Sequence, residues 1–168
     1  MKKGLSIGAD LIVTMDADFS HHPKDVPLLI DAASRFDLVI GSRYIQGGGT
    51  RNCGWNRTLL SRGANWFARV ALDLHALDCT AGFRCYKSAV LEQVPLDKIA
   101  SNGYSFLIEL LFLMQQQGCR VGEVPIMFEN RRMGRSKISP VEILRAAQTV
   151  VRLGMGQRVI SVMPDDHR

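Results

Sequence analysis

The chain has 168 residues and a formal net charge of +5, which predicts one globular domain and an anionic partner: phosphate, lipid headgroup or nucleic acid. Its four cysteines (Cys53, Cys79, Cys85 and Cys119) lack Cys-x-x-Cys spacing, which argues against a zinc knuckle or a disulfide framework. No apolar run is long enough to cross a bilayer, and the N-terminus lacks the apolar core of a signal peptide. We therefore expect a cytoplasmic protein, soluble or peripheral to a membrane.

A buried strand followed by two carboxylates is the first feature of the chain that predicts chemistry. Residues 11–15 form a continuous, β-branched apolar run, which predicts a fully buried strand. Asp16 and Asp18 follow at its carboxyl end, where ligands gather in open α/β sheets. Because Mg²⁺ takes one or two carboxylates with waters and substrate phosphates, the pair is a candidate metal site. The alternative is an Asp-x-Asp sequence in a solvated loop.

A helix and a second strand follow the two carboxylates. Pro23 suits the first helical position, and Val26, Leu29 and Ala33 recur at helical spacing. Residues 37–41 predict the next buried strand, so the strand, helix and strand imply a parallel pair joined by a right-handed crossover. The glycine-rich segment 46–50 is expected to be a mobile loop.

The second half predicts mostly helices. Asn56 is a candidate cap for a helix over 57–72, followed by a short strand at 83–86 and a small helix from Ser88. An apolar helix spans 106–117, and 120–128 is a last strand that Pro125 places at a sheet edge. A terminal helix begins at Pro140. The residues expected to face inward are Leu60, Ala64, Phe67 and Ala71 on the first long helix and Val141, Leu144 and Val151 on the terminal one.

Basic residues in loops or at helix starts are candidate phosphate ligands. The four are Arg43, Arg57, Arg131 and Lys137. Arginine binds phosphate through two parallel hydrogen bonds, so several of them in one cleft beside a metal would suit a nucleotide-linked donor. The alternative is that each is a solvated surface residue.

Other polar and aromatic residues leave two interpretations open. Glu109 lies in an apolar helix, either as a hydrogen-bonded anchor for a loop or on the exposed stripe. His21 and His22 are metal ligands or, more simply, loop-packing residues. The terminal helix, with Arg145 and Arg152 on a common polar side, either lies on an anionic membrane or packs on its own domain.

Taken in order, several motifs resemble the family-2 glycosyltransferases, and within them the dolichol-phosphate (polyprenol-phosphate) mannose synthases. The similarity runs over residues 8–140. The motifs are Met-Asp-Ala-Asp-Phe-Ser-His-His-Pro at 15–23, Gly-Ser-Arg-Tyr at 41–44, Asn-Arg at 56–57 with Ser-Arg-Gly-Ala-Asn at 61–65, Asp-Cys-Thr-Ala-Gly-Phe-Arg at 78–84, Gly-Tyr-Ser-Phe at 103–106 with Glu109, Glu-Val-Pro-Ile at 123–126, and Arg131 with Gly-Arg-Ser-Lys at 134–137.

This resemblance implies an α/β fold: a partial GT-A (Rossmann-like) domain with a mixed, mainly parallel sheet flanked by helices and a C-terminal amphipathic helix. It also implies metal-dependent, inverting transfer of mannose from GDP-mannose to a polyprenyl monophosphate at the cytoplasmic membrane face. The implied site residues are Asp16 and Asp18 for Mg²⁺ or Mn²⁺, Arg43, Arg57, Ser61 and Arg131 for the acceptor phosphate, with Arg57 also catalytic, Gly134, Ser136 and Lys137 in a donor-side loop, and Asp78 for orienting sugar hydroxyls.

The resemblance also divides the chain. Residues 1–139 correspond to the C-terminal part of a GT-A domain, and 140–168 to an amphipathic helix and a frayed tail. Such domains begin with a strand, helix and strand that hold the nucleotide base. Because residues 4–9 have the pattern of a helix end, we expect that half on a longer parent or on another chain. The alternatives are a related transferase using UDP-glucose or another sugar nucleotide, and a non-catalytic module that docks on membranes; a nucleic-acid partner is not expected.

Overall fold

The computed structural model of the chain describes residues 1–52, 54–129 and 140–162, with side chains except at 56, 57, 140–143 and 157–162. The helices are α1 (Lys2–Ser6), α2 (Val26–Ala32), α3 (Trp55–Leu72), α4 (Ser88–Leu91), α5 (Gly103–Gln116) and α6 (Pro140–Val162). The strands are β1 (Leu11–Thr14), β2 (Leu38–Ser42), β3 (Gly49–Arg51), β4 (Arg84–Lys87), β5 (Val121–Pro125) and β6 (Met127–Glu129). Among the described residues, no helix is both long and apolar enough to cross a membrane.

The main sheet is mixed and has the strand order β1-β4-β2-β5. β4 is antiparallel to both β1 and β2, while β5 is parallel to β2, so three of the four strands point the same way. The expectation that β1 and β2 pair directly was wrong, because β4 lies between them. Tyr86 of β4 faces Ile12 on one side and Leu38 on the other, and its side chain is fully buried.

The predicted last strand divides into two. β5 ends at Pro125 and lies at the sheet edge, as Pro125 indicated. β6 then pairs in parallel with β3 in a separate two-stranded sheet. The segment expected to be a mobile loop therefore supplies a strand at Gly49–Arg51.

β1 is less buried than predicted. It is the other edge of the sheet, and of its four residues Ile12 alone is fully buried. Leu11 and Val13 are half-buried and pack towards α2. An edge strand has a neighbour on one side only, which is why the apolar run does not give full burial here.

The sheet separates two apolar cores. One lies between the sheet and helices α3, α5 and α6, and includes Leu72, Ile108 and Val150. The smaller core lies under α2 and includes Leu29, Val39 and Phe83. The carboxyl ends of β1 and β2 project from between these layers.

Two helices bury a different face from the one predicted. On α3 the buried side chains are Asn65, Ala68 and Leu72, whereas Leu60 and Phe67 are 45% and 39% exposed. Ala71 is exposed too, Ala64 is half-buried, and Gly54 rather than Asn56 precedes the helix. Apolar residues occur on every side of α3, so the hydrogen bonds of Asn65 decide which side packs inward.

On α6, Thr149 and Val150 are buried, and Leu144 and Val151 are 59% and 50% exposed. The expectation that Leu144 and Val151 face inward was therefore wrong; Val141 lies outside the described side chains. An ion pair explains why α6 presents a different face to the domain. Glu109 of α5 is 6% exposed, and Arg152 donates a 2.8 Å hydrogen bond to it, so Glu109 is a buried anchor rather than part of an exposed stripe.

Candidate functional site

A polar cleft opens at the edge of the sheet where β1 and β2 end. Residues after these strands reach it from one direction, among them Asp16 after β1 and Arg43 after β2. β4 runs the opposite way, so the loop before it, 78–82, ends at the same edge. α3 contributes Thr58 and Ser61, and α5 contributes Tyr104. The topology therefore brings five separate segments of the chain together.

Arg43 and Asp78 form a buried ion pair beneath this cleft. Arg43 donates from Nε to Asp78 Oδ2 and from Nη2 to Asp78 Oδ1, both at 2.7 Å, and its backbone N–H donates to Oδ2 at 3.0 Å. The Asp78 side chain is fully buried and that of Arg43 is 14% exposed. Burial by itself would lower the pKa of Arg43, but the hydrogen bonds and charge of Asp78 outweigh it and raise the pKa.

The loop that carries Asp78 is held rigidly by hydrogen bonds. The Glu123 carboxylate accepts from the backbone N–H groups of Leu77 at 2.8 Å and Asp78 at 3.0 Å. Asn65 Oδ1 accepts from the N–H of Cys79 at 2.7 Å, and Asn65 Nδ2 donates to Thr80 Oγ1 at 3.1 Å. Side chains on β5 and α3 thus fix the position of the loop at the edge of the cleft.

A fully buried arginine ties the same loop to α5. Arg84 donates to the carbonyl oxygens of Ala81 at 2.8 Å, Cys79 at 2.6 Å and Leu107 at 2.9 Å. A buried guanidinium is tolerated when its donors are satisfied in this way. The cleft is therefore preorganised by charged groups that do not line it.

Asp16 is the carboxylate that opens into the cleft, with its side chain 52% exposed. Asp18 is half-buried; its Oδ1 accepts from the backbone N–H of Ser20 at 3.1 Å and from the Ser20 hydroxyl. Phe19, which lies between Asp18 and Ser20, has a φ of 62° and is 86% exposed. Such backbone conformations are rare for a bulky residue and concentrate at functional sites.

His21 lies beside Asp16 in an unusual environment. It is 4% exposed, it packs against the rings of Phe83 and Phe128, and its Nε2 is 3.5 Å from Asp16 Oδ2. Neither of its ring nitrogens has a hydrogen bond to another described residue. A buried imidazole with unused nitrogens next to a carboxylate can orient that carboxylate or a group bound to it.

Tyr44 connects the cleft to α3. Its hydroxyl donates to Ser61 Oγ at 2.7 Å, and burial raises its pKa, which keeps the phenol protonated. The guanidinium carbons of Arg43 and Arg62 lie 5.0 and 5.8 Å from the ring centroid. Because Ser61 accepts from Tyr44, its own hydroxyl proton is available to a ligand.

The structure brings Asp16, Arg43 and Ser61 to the cleft lining. Asp18 adjoins it, and Asp78 lies behind Arg43 without exposed surface. The Arg57 backbone is in α3, but its side chain is outside the described ones, as are Arg131, Gly134, Ser136 and Lys137 altogether.

Sequence reasoning did not single out Thr80, Tyr104, Asn65 or Glu123. Their position in the sequence could have identified them, because each lies within one of the motifs that carry the family resemblance. Among the residues that the structure describes, no three His, Cys, Asp or Glu side chains are grouped as a self-sufficient metal site.

An apolar cavity of about 620 Å³ adjoins the polar cleft between α3, α5 and α6. Its walls include Trp55, Leu59 and Phe67 of α3 and Val150 of α6. Three residues, Ser61, Thr80 and Tyr104, line both spaces. A polar site and an apolar site are therefore continuous.

Comparison with known proteins places this architecture among sugar transferases. Residues 7–95 match the family described as "Glycosyl transferase family 2". The chain is 40% identical to an undecaprenyl-phosphate mannosyltransferase of Micrococcus luteus, over 92% of this chain and 64% of that protein. It is 42% identical to a polyprenol monophosphomannose synthase of Mycolicibacterium smegmatis, over 93% and 59%. The chain thus spans about three fifths of the length of these relatives.

Solved structures support the α/β fold expected of a GT-A domain. Glucosyl-3-phosphoglycerate synthase of Mycobacterium tuberculosis, in complex with Mn²⁺, UDP and phosphoglyceric acid, superposes with a TM-score of 0.64 at 18% identity, covering 98% of this chain and 53% of that one. The same enzyme with Mg²⁺ and UDP gives 0.62 at 19% identity, covering 98% and 54%. At this identity the likeness concerns the fold alone.

Proposed function

Since this chain belongs to glycosyl transferase family 2, we propose that it is the acceptor and metal side of an enzyme that transfers mannose from GDP-mannose to a polyprenyl (dolichyl) monophosphate. One observation carries the proposal: the polar cleft with Arg43 continues directly into the apolar cavity. Because the chain spans about three fifths of its relatives, the activity is proposed for a protein of their full length. In it, residues 1–139 belong to the catalytic domain, and the part that holds the nucleotide base lies on the same or another chain.

The shape of the two spaces favours a lipid acceptor. A polyprenyl phosphate has a charged head and an apolar chain, so it needs a polar site next to an apolar one. A cavity of about 300–1,000 Å³ lined mainly by apolar side chains is typical of ligand sites in general. The 620 Å³ cavity between α3, α5 and α6 would be left unused by a fully polar acceptor such as phosphoglyceric acid. The cavity therefore distinguishes this chain's proposed acceptor from the one named in the solved structures.

The head of the acceptor fits beside Arg43. Asp78 and Thr80 occupy the Nε and Nη2 donors of Arg43, which leaves the two Nη1 hydrogens without a partner among the described residues. Asp78 thus holds the guanidinium in one orientation, and in our proposal it acts through Arg43 rather than on the sugar. Ser61 donates to the same phosphate, and Arg57 and Arg131 complete the set on the basis of their motifs.

The residues at the strand end fit a divalent cation shared with the donor. Asp16 faces the cleft, and its carboxylate lies close to the backbone of Gly82. The absence of a side chain at Gly82 allows this contact, because a Cβ there would lie 3.3 Å from Asp16 Oδ1. Mg²⁺ needs few protein ligands when diphosphate oxygens and waters supply the others. Asp16 and Asp18 would hold Mg²⁺ or Mn²⁺, which when bound offsets the charge of the departing diphosphate. Gly134, Ser136 and Lys137 are proposed to lie on the donor side.

The reaction needs no general base from this chain. A phosphate oxygen of the acceptor forms the new bond to the anomeric carbon while the bond from that carbon to the GDP oxygen breaks, and GDP leaves with both electrons. The acceptor oxygen is already anionic, so no proton has to be removed. Attack opposite the leaving group inverts the anomeric configuration. Arg43 and Ser61 orient the nucleophile, which is the contribution that positioning makes to such a transfer.

The donor sugar and the location rest on different observations. Relatives at 40–42% identity are named for mannose, whereas the 18–19% identical structures bind UDP or UDP-glucose, so mannose is favoured over glucose.

Large apolar side chains are exposed on α3, including Trp55 (75%), Leu59 (62%) and Trp66 (64%). Such a face suits peripheral attachment at the cytoplasmic side of a membrane.

Binding of a short acceptor tests the proposal. Trp55 lines the apolar cavity, so its fluorescence reports occupancy. Farnesyl phosphate is expected to change the emission, farnesol to bind more weakly, and 3-phosphoglycerate to leave it unchanged. Equal competition by 3-phosphoglycerate would overturn the lipid acceptor.

Transfer is tested in a protein of the relatives' full length. Labelled GDP-mannose with undecaprenyl phosphate should give a lipid-linked product, and labelled UDP-glucose should not. Asp16→Asn is expected to abolish transfer and weaken Mn²⁺-dependent GDP binding, whereas the exposed Asp31→Asn should change neither. Product formation from UDP-glucose alone would instead favour the alternative donor.

A further inference from the structure

We propose that a second groove, between the start of α5 and one side of α6, binds a phosphate group of an anionic lipid headgroup. The groove has a volume of about 430 Å³ and is lined by Ser101 and Ser105 on one wall and by Arg145, Gln148 and Arg152 on the other. It shares no lining residue with the polar cleft or the apolar cavity. It is therefore separate from the site proposed for the acceptor.

The charges on the groove leave an excess of one cation. Arg152 is paired with the buried Glu109, which also accepts from the Ser101 hydroxyl. Arg145 is exposed and has no acidic partner among the described residues. Glu109 would repel an anion, but Arg152 already offsets its charge, and Arg145 remains to attract one. Two arginines seven residues apart lie on the same side of a helix and face one ligand together.

The opposite wall supplies hydrogen-bond donors. The 14-residue helix α5 begins here, and the side chain of Asn102 does not cap it, so first-turn N–H groups are available. The Ser105 side chain is only 5% exposed, lines the groove, and has no hydrogen bond to another described residue. A phosphate oxygen in the groove would accept a hydrogen bond from this hydroxyl.

An exposed apolar ridge beside the groove indicates where the phosphate comes from. Leu144, Val151 and Met155 are 59%, 50% and 59% exposed. Their spacing of seven and four residues places them on one face of α6, adjacent to the face that carries Arg145 and Arg152. A phosphate attached to acyl chains would engage the arginines while the ridge enters the apolar layer. Inorganic phosphate would use the same donors without the ridge.

Vesicle flotation separates these sources. Vesicles of phosphatidylcholine mixed with phosphatidylglycerol should bind the chain, and Arg145→Gln should weaken that binding about fivefold, the effect of one basic residue at an anionic surface. Ser105→Ala should also weaken it, with circular dichroism checking that the fold is intact. Arg35→Gln, the matched control, removes the same charge after α2 on the opposite side of the sheet and should have no effect.

Three results are decisive. Equal losses in Arg145→Gln and Arg35→Gln would overturn the site in favour of general charge attraction. Inorganic phosphate that shifts the Ser105 amide NMR signal, without any preference for phosphatidylglycerol, would overturn the lipid source. Farnesyl phosphate binding should be unchanged in Arg145→Gln, so the groove and the acceptor site can fail independently.

Discussion

Replacing Asp78 with asparagine tests whether the Arg43–Asp78 pair organises the cleft. The substitution keeps the size of the side chain but removes the charge that faces a guanidinium of 14% exposure, in a position where the carboxylate is fully buried. Three hydrogen bonds of 2.7 to 3.0 Å join the two residues. An amide offers one acceptor oxygen, so part of this set is lost and the buried cation is left uncompensated.

The expected cost is large relative to the stability of a domain. Breaking a buried ion pair by removing one partner costs about 3–5 kcal/mol, a change of about 10² to 4 × 10³ in the folding equilibrium constant. A typical domain has about 5–15 kcal/mol in total. The variant should therefore unfold at a clearly lower urea concentration. A double variant, Arg43→Met with Asp78→Leu, leaves no charge unpaired and should lose less than the sum of its single variants.

Urea unfolding, followed by tryptophan fluorescence and by circular dichroism, measures the free energy of unfolding of Asp78→Asn and of the double variant. Asp31→Asn, which changes an exposed carboxylate on α2, is the control and should stay within about 0.5 kcal/mol of the parent. If Asp78→Asn also stayed within that range, the pair would not organise the cleft. Farnesyl phosphate binding, measured well below the unfolding transition, should fall in Arg43→Met even where that variant remains folded.

Three further predictions concern stability. Hydrogen bonds from Arg120 hold the pKa of Asp37 far below its usual value. Asp37→Asn should cost about 1 kcal/mol at pH 7, because the Arg120 side chain is 62% exposed and water screens the pair. That difference is complete above the unfolded pKa of about 4 and is lost as the pH falls towards the lowered folded pKa, so urea unfolding should show a smaller gap at pH 3. Glu109→Gln should speed amide hydrogen exchange in α6, because Arg152 loses its charged partner. Gly41→Ala should cost about 1–3 kcal/mol in thermal unfolding, because the new Cβ would lie 2.9 Å from a buried ring; no loss would mean that the ring can move.

Local patterns along the chain carried much of the fold. The apolar runs at 11–15 and 37–41 and the proline at the end of β5 predicted strands and an edge that the structure contains. The α/β class and the glycosyltransferase family also followed from ordered motifs. These features depend on neighbouring residues in the sequence, so they are visible without a structure.

Which surfaces meet was decided by contacts between distant segments. The placement of β4 between β1 and β2 depends on hydrogen bonds to both strands, which no local pattern encodes. The face of α3 that packs inward depends on Asn65 meeting the 78–80 loop, and that of α6 on Arg152 meeting Glu109. In both helices the periodicity showed apolar residues on more than one side.

The sequence by itself determined that Asp16 and Asp18 follow a strand and that Arg43 follows another, because residue order and apolar periodicity are local properties. Tertiary structure alone decided that Asp16 faces the cleft and that the buried charge of Asp78 is paired with Arg43. It also decided that a cavity of about 620 Å³ continues from the polar cleft. Burial, charge pairing and enclosed volume arise only when distant segments of the chain come together.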